Sequence, residues 1–174
     1  MVQLQNVLWL TDFSEDAAYA LPYAHDLAEF YKTKLYLMHV IENATHSVYG
    51  EVEGDYLAME MNAREKARTW LQDYVKKELQ GFPDHEIILR EGDVLPRVLE
   101  IETGKQIGTI VMGTHGRTGL AHMLLGGVTE KVVRSVHCPV YVIRHPERVG
   151  ARNAASRLFG TFRVAPDEIT SRRS

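Results

Sequence analysis

Five short apolar runs, separated by stretches of helical periodicity, leave few folds open to this chain. They are residues 6–11 (NVLWLT), 34–41 (KLYLMHVI), 86–90 (EIILR), 109–113 (TIVMG) and 140–143 (VYVI). Apolar residues at consecutive rather than alternate positions mark strands buried on both faces. Such strands alternating with helices predict a parallel sheet covered on both sides. Right-handed crossovers then make it a doubly wound, five-stranded α/β domain. In that architecture ligands bind beyond the carboxyl ends of the strands, where the winding reverses. The loops after the first and fourth strands are the places to search.

The helical stretches carry their own punctuation. Ser14 caps the first, with Glu15 and Asp16 at its positive end, and Ala17, Ala20, Leu21, Ala24, Leu27, Ala28 and Tyr31 recur at helical spacing. Pro22 is expected to kink it. A polar loop over 42–54 leads to the longest helix, whose expected buried stripe is Ala63, Ala67, Trp70, Leu71, Tyr74 and Leu79. Helices over 94–105 and 128–136 complete the pattern. Beyond Pro146 periodicity fades, so residues 1–146 read as the domain and 147–174 as a partly disordered extension.

Charge and cysteine usage bound the setting. The extension holds six arginines against three acids, so the net charge of −3 divides into +3 there and −6 on the body. An acidic body argues against broad nucleic-acid binding. The basic extension reads as a solvated end, with contact to an acidic partner as the alternative. A lone Cys138 excludes an internal disulfide and suits a reducing compartment. The start of the chain lacks a basic n-region, and no run nears the roughly 20 apolar residues of a membrane span. A cytoplasmic protein without membrane contact is expected.

The loop after the fourth strand carries the chemistry. Gly113, Gly116 and Gly119 follow the strand closely, and Gly126-Gly127-Val128-Thr129 opens the next helix. Bare glycines let backbone N–H groups approach a ligand, and a helix start adds free donors and a positive dipole end. Two facing sets of donors, with Arg117 between them, suit a polyphosphate. A tight turn plus a helix start is the plainer alternative, and the spacing alone leaves both open. Neither G-x-x-x-x-G-K-[ST] nor a G-x-G-x-x-G after the first strand is present.

Gly113-x-x-Gly116, nine residues, then Gly126 resembles the G-x2-G-x9-G-[S/T] signature of ATP-binding universal stress proteins. The flanking Thr109-Ile110-Val111-Met112, Glu130-Lys131-Val132 and Cys138-Pro139-Val140 agree, as do Thr11-Asp12-Phe13-Ser14 and Met38-His39-Val40. The resemblance spans residues 6–144. It implies a Rossmann-like fold of the adenine nucleotide alpha hydrolase-like kind, ATP or another adenine nucleotide with Mg2+ as ligand, and regulation through an unidentified protein partner. By the resemblance, Asp12 lies near the adenosine and Val40 holds adenine through its backbone. Met112, Gly113, Gly116 and Arg117 line the nucleotide, and Gly126, Gly127, Val128 and Thr129 receive the phosphates. The chain departs from the pattern at Gly127, where the family has Ser or Thr. The backbone donor stays and Thr129 is nearby, so a weaker phosphate grip is expected, since a neutral hydrogen bond contributes about 0.5–1.5 kcal/mol.

Asp12 orients ribose or helps hold Mg2+, or else caps the helix beside Ser14. His115 reaches phosphate or faces solvent. The remaining histidines are scattered without a zinc pattern, and Cys138 reads as packing rather than nucleophile. Without a residue to place water, ATP turnover is expected to be slow at most, and the chain is not read as an enzyme. The apolar run Val140, Tyr141, Val142 and Ile143 at a sheet edge would invite aggregation, and pairing with its copy covers it. A homodimer through this strand is also what the resemblance implies. The alternative is a dimer of the same family that leaves the pocket empty.

Overall fold

The computed structural model describes residues 4–42, 53–115 and 125–146, with backbone alone for 53–60. The strand β1 (Asn6–Thr11) shows how the sheet is built: Val7 to Leu10 are buried at consecutive positions, yet they feed two different cores. Leu8 and Leu10 point to one face, Val7 and Trp9 to the other, as the two-residue period of a strand requires.

The helix α1 (Glu15–Tyr31) follows, then β2 (Leu35–Ile41), α2 (Glu53–Glu78), β3 (His85–Glu91), α3 (Val94–Gly104), β4 (Ile107–Gly113), α4 (Gly127–Ser135) and β5 (Val140–Ile143). All pairings are parallel, in the order β3-β2-β1-β4-β5. Ala20, Leu21, Ala24 and Ala28 of α1 join Leu71 of α2, and Leu79 just past its end, over the Trp9 face. Val98 and Ile101 of α3 join Val132 of α4 over the Leu8 face. This is the doubly wound five-stranded sheet with helices on both faces that the alternation predicts. The helix α1 continues across Pro22, which is exposed. Lys32, left-handed at φ 53°, ends it, its N–H turned back to the carbonyls of Ala28 and Glu29. Among the described residues, no helix is long and apolar enough to cross a membrane. The extension over 147–174 lies outside them.

A buried carboxylate ties the second face together. Glu102 of α3 is 7% exposed, and its Oε1 accepts from the backbone N–H groups of His137 (2.6 Å) and Cys138 (2.9 Å), just before β5. Burial pushes its pKa up, but those N–H donors outweigh burial and hold it below the usual carboxylate range. A carboxyl lowered by folding stabilises fully above its unfolded value of about 4.3 and stops doing so as pH falls through the folded one. Glu102→Ala is expected to cost about 2–3 kcal/mol at pH 7, by the strength of bonds to a charged acceptor. Urea unfolding at pH 7 and pH 3 checks it: the gap from the unaltered protein should narrow in acid.

Candidate functional site

Around β1 the winding reverses, with β2 on one side and β4 on the other, and the loops leaving these strands diverge. There a cavity of about 600 Å³ opens. Asp12 lines it from the turn after β1, Val40 from β2, and Met112, Gly113 and His115 from the end of β4. Gly126, Gly127, Val128 and Thr129 close it from the start of α4. The sequence-predicted Gly116 and Arg117 lie outside the described residues. Val140, Tyr141, Val142 and Ile143 form β5 at the sheet's edge, away from the cavity lining.

The turn after β1 is fixed by short-range bonds. The N–H of Phe13 donates to Thr11 Oγ1 (3.0 Å) and that of Ser14 to Asp12 Oδ1 (3.0 Å), while Ser14 Oγ accepts from Ala17 N–H (3.2 Å) as the cap of α1. Asp12 thus orders the turn and also faces the cavity. Phe13 is left-handed at φ 64°, a conformation bulky residues avoid. In return its ring packs 4.3 Å from His39 and edge-on to Trp70 at 4.9 Å. His39 Nδ1 lies 2.8 Å from the carbonyl of Thr11, which only accepts, so Nδ1 carries the hydrogen and ties β2 to β1.

Where β4 ends, packing places its own demands on two of the sequence-predicted residues. A Cβ on Gly113 would fall 2.7 Å from Asp16 C and 2.9 Å from Ala17 N, so this residue is bare because α1 crosses it. The buried Thr129 hydroxyl donates to the Gly113 carbonyl (3.1 Å), committing its proton to β4. Only the backbone of Thr129 is left to serve a phosphate. The N–H of Gly126 donates to the Thr114 carbonyl (2.8 Å), which sets the angle at which α4 starts. Among the described residues no side chain caps α4 at Gly126, and its first turn lines the cavity. Among the described residues, nothing lies within 4 Å of where a Cβ of Gly127 would stand.

A buried polar chain backs this end. Asp16 is fully buried, although its place in the first turn reads as a solvent-facing acid. Thr114 Oγ1 donates to Asp16 Oδ2 (2.9 Å), and His115 Nδ1 lies 3.0 Å from that hydroxyl and 3.6 Å from Asp16 Oδ2. Sequence reasoning also missed the wall given by α2: Ala63, Lys66, Ala67 and Trp70. Trp70, expected in the core stripe, is 48% exposed because α2 passes over the cavity mouth there. The thiol of Cys138 is pushed up to about 12 by burial and by the charge of Glu102, so it stays protonated and packs. Among the described residues, no group of three or more His, Cys, Asp or Glu side chains could hold a metal.

A doubly wound sheet whose switch-point cavity is closed by a glycine-started helix is the architecture of a small-ligand-binding α/β domain. The family model described as universal stress protein family matches residues 3–144, and the chain belongs to that family. Universal stress protein MJ0531 of Methanocaldococcus jannaschii is 31% identical over 139 residues, 79% of this chain and 81% of the relative. The solved structure of MJ0577, from the same organism, superposes with a TM-score of 0.73 at 27% identity, over 83% of this chain and 98% of that one. The structure of the universal stress protein from Archaeoglobus fulgidus in complex with dAMP shares the fold, with a TM-score of 0.54 at 17% identity over 82% and 99% of the two chains.

The crowding at Gly113 yields a direct expectation. Gly113→Ala should force α1 and β4 apart and cost about 1–3 kcal/mol, the range for overpacking. Chemical unfolding reads the loss, and an unchanged midpoint would show that the two elements have room to spare.

Proposed function

We propose that this chain is an ATP-binding universal stress protein of the cytoplasm, a homodimeric nucleotide sensor whose occupancy is read by a protein partner. One observation carries the reading: the uncapped first turn of α4 and the ends of β1, β2 and β4 open on a single cavity. Helix starts of this kind bind anions through N–H groups and dipole together. The volume, about 600 Å³, falls within the roughly 300–1,000 Å³ of small-molecule sites. Leu10, Val40 and Met112 offer apolar walls to a purine, and Asp12 lines the same cavity, in keeping with a place beside the ribose. The A. fulgidus protein solved with dAMP is a universal stress protein that holds an adenine nucleotide. Mg2+ would arrive on the phosphates. A second reading, a dimer with an empty pocket, is favoured by Gly127 alone.

Equilibrium dialysis with radiolabelled ATP and Mg2+ separates the two. Retention is expected below millimolar nucleotide, whereas none at millimolar leaves the empty-pocket dimer. Because the space at Gly127 is open, Gly127→Ser restores the missing hydroxyl without crowding. It is expected to tighten ATP binding about threefold to tenfold, as one neutral hydrogen bond allows.

The dimer rests on β5, which among the described strands bonds to β4 alone and presents Tyr141 at 45% exposure. Pairing with its copy across a two-fold axis would satisfy the bare edge. Sedimentation velocity should find a dimer for the unaltered protein and a monomer for Tyr141→Lys, with helical circular dichroism retained. A Tyr141→Lys dimer would move the interface elsewhere.

A further inference from the structure

A helix face that turns aromatic rings and acids outward, with no base among them, invites a cationic cover. The outer stripe of α1 is of that kind: Glu15, Tyr19, Tyr23, Asp26 and then Glu29 and Phe30 succeed one another at steps of three and four. No Lys or Arg occurs between Glu15 and Tyr31. Phe30 is 77% exposed, and Tyr31, its ring 5.0 Å away, is 43% exposed. Nearer the start of the helix, the rings of Tyr19 and Tyr23 lie 5.8 Å apart. Asp26 meets His25 Nδ1 at 3.9 Å, an ion pair only when that ring is protonated.

The chain leaves the described domain beside this stripe. His145, just past β5, packs its ring edge-on against Tyr19 at 4.8 Å. The basic extension begins after Pro146. Between Arg148 and Pro166 it holds Arg148, Arg152, Arg157 and Arg163 without an acid, together with Phe159 and Phe162. Guanidinium groups pair with carboxylates and also lie over aromatic faces, and this stripe offers both. From Tyr19 to Phe30 the helix rises about 16 Å, whereas an extended chain advances about 3.3 Å per residue. The segment from Arg148 to Arg163 therefore spans the stripe with length to spare.

We propose that this face of α1 is the docking surface of the chain's own basic segment, residues 148–163, seated in cis with its arginines on Asp26, Glu29 and the neighbouring rings. Tethering favours this occupant over a separate molecule, because a short link sets an effective concentration in the millimolar range. The acidic partner that the charge of the extension calls for is then the domain from which it grows. The inference is independent of what the cavity holds.

Trypsin cleavage after Arg148, Arg152, Arg157 and Arg163, read by mass spectrometry, is timed on the full chain. The unaltered protein is compared with a triple variant of the stripe, Asp26→Asn, Glu29→Gln and Phe30→Ser together. A control, Glu65→Gln with Asp73→Asn, removes two charges from α2 instead, and circular dichroism establishes that all three proteins are folded. Cleavage within 148–163 should be about tenfold faster in the α1 variant than in the other two, as several surface contacts together allow. At about 1 M salt the difference should shrink to about twofold, because exposed charge pairs are screened. Over an about fiftyfold range of protein concentration the rate for the unaltered protein should stay constant, the mark of a contact within one chain. Equal rates in all three proteins, or release by the control as well, overturn docking on α1. A rate that falls as concentration rises gives the seat to a second copy and overturns the cis assignment.

Discussion

The contact on which the rest depends is the crossing of α1 over the end of β4. Gly113 has no side chain, so the backbone of Asp16 and Ala17 lies where a Cβ would be. That approach brings the Asp16 carboxylate under Thr114 and His115, and it leaves the Gly113 carbonyl to receive the Thr129 hydroxyl. Three elements, α1, β4 and α4, are thereby locked around one residue. The cavity is the space left between them and the loops of β1 and β2. A single added methyl group would disturb packing, buried charge and helix start together, since interiors this dense transmit small volume changes.

Most of the fold was legible in the chain because buried parallel strands announce themselves by composition. The bounds of β1 and β5 agree with the runs read from sequence, since each has an unbroken apolar centre and ends in turn chemistry. The strand β4 begins earlier than its apolar run suggests, at Ile107, because Gly108 reads as a breaker. In space Gly108 is a strand residue that has given up its side chain to the passing backbone of Gln5, whose nitrogen lies 2.6 Å from where a Cβ would be. The site was legible at the strand ends for the same reason: topology sends ligands there whatever the family. The contribution of α2 was not. Helical periodicity tells which face of a helix is turned inward, but not where along that face the core gives way to a cavity. Lys66 and Trp70 stand at that point. Asp16 was hidden by a sound rule, since an acid in a first turn usually faces solvent and the dipole; only the tertiary crossing buries it.

The walls divide the work of recognition. Apolar strand residues form one side and offer shape, whereas backbone N–H groups at α4 offer direction and partial charge. Gly127 gives up a side-chain donor, so the main chain bears more of the grip, and main-chain donors held by secondary structure need no ordering on binding. The described walls also carry a histidine beside a buried acid.

The placement of the two indoles follows from the same architecture and has a practical side. Trp9 is fully buried, with its Nε1 donating to the Ala17 carbonyl at 2.9 Å, in the layer between sheet and α1. Trp70 is half open to water where the cavity meets the surface, against the ring of Phe13. The first senses the integrity of the core and the second the state of the entrance. Their intrinsic emission therefore divides into a buried blue component and a solvent-exposed red one, and a quencher dissolved in the medium reaches the second while sparing the first. The molecule carries an unlabelled optical gauge at its own doorway.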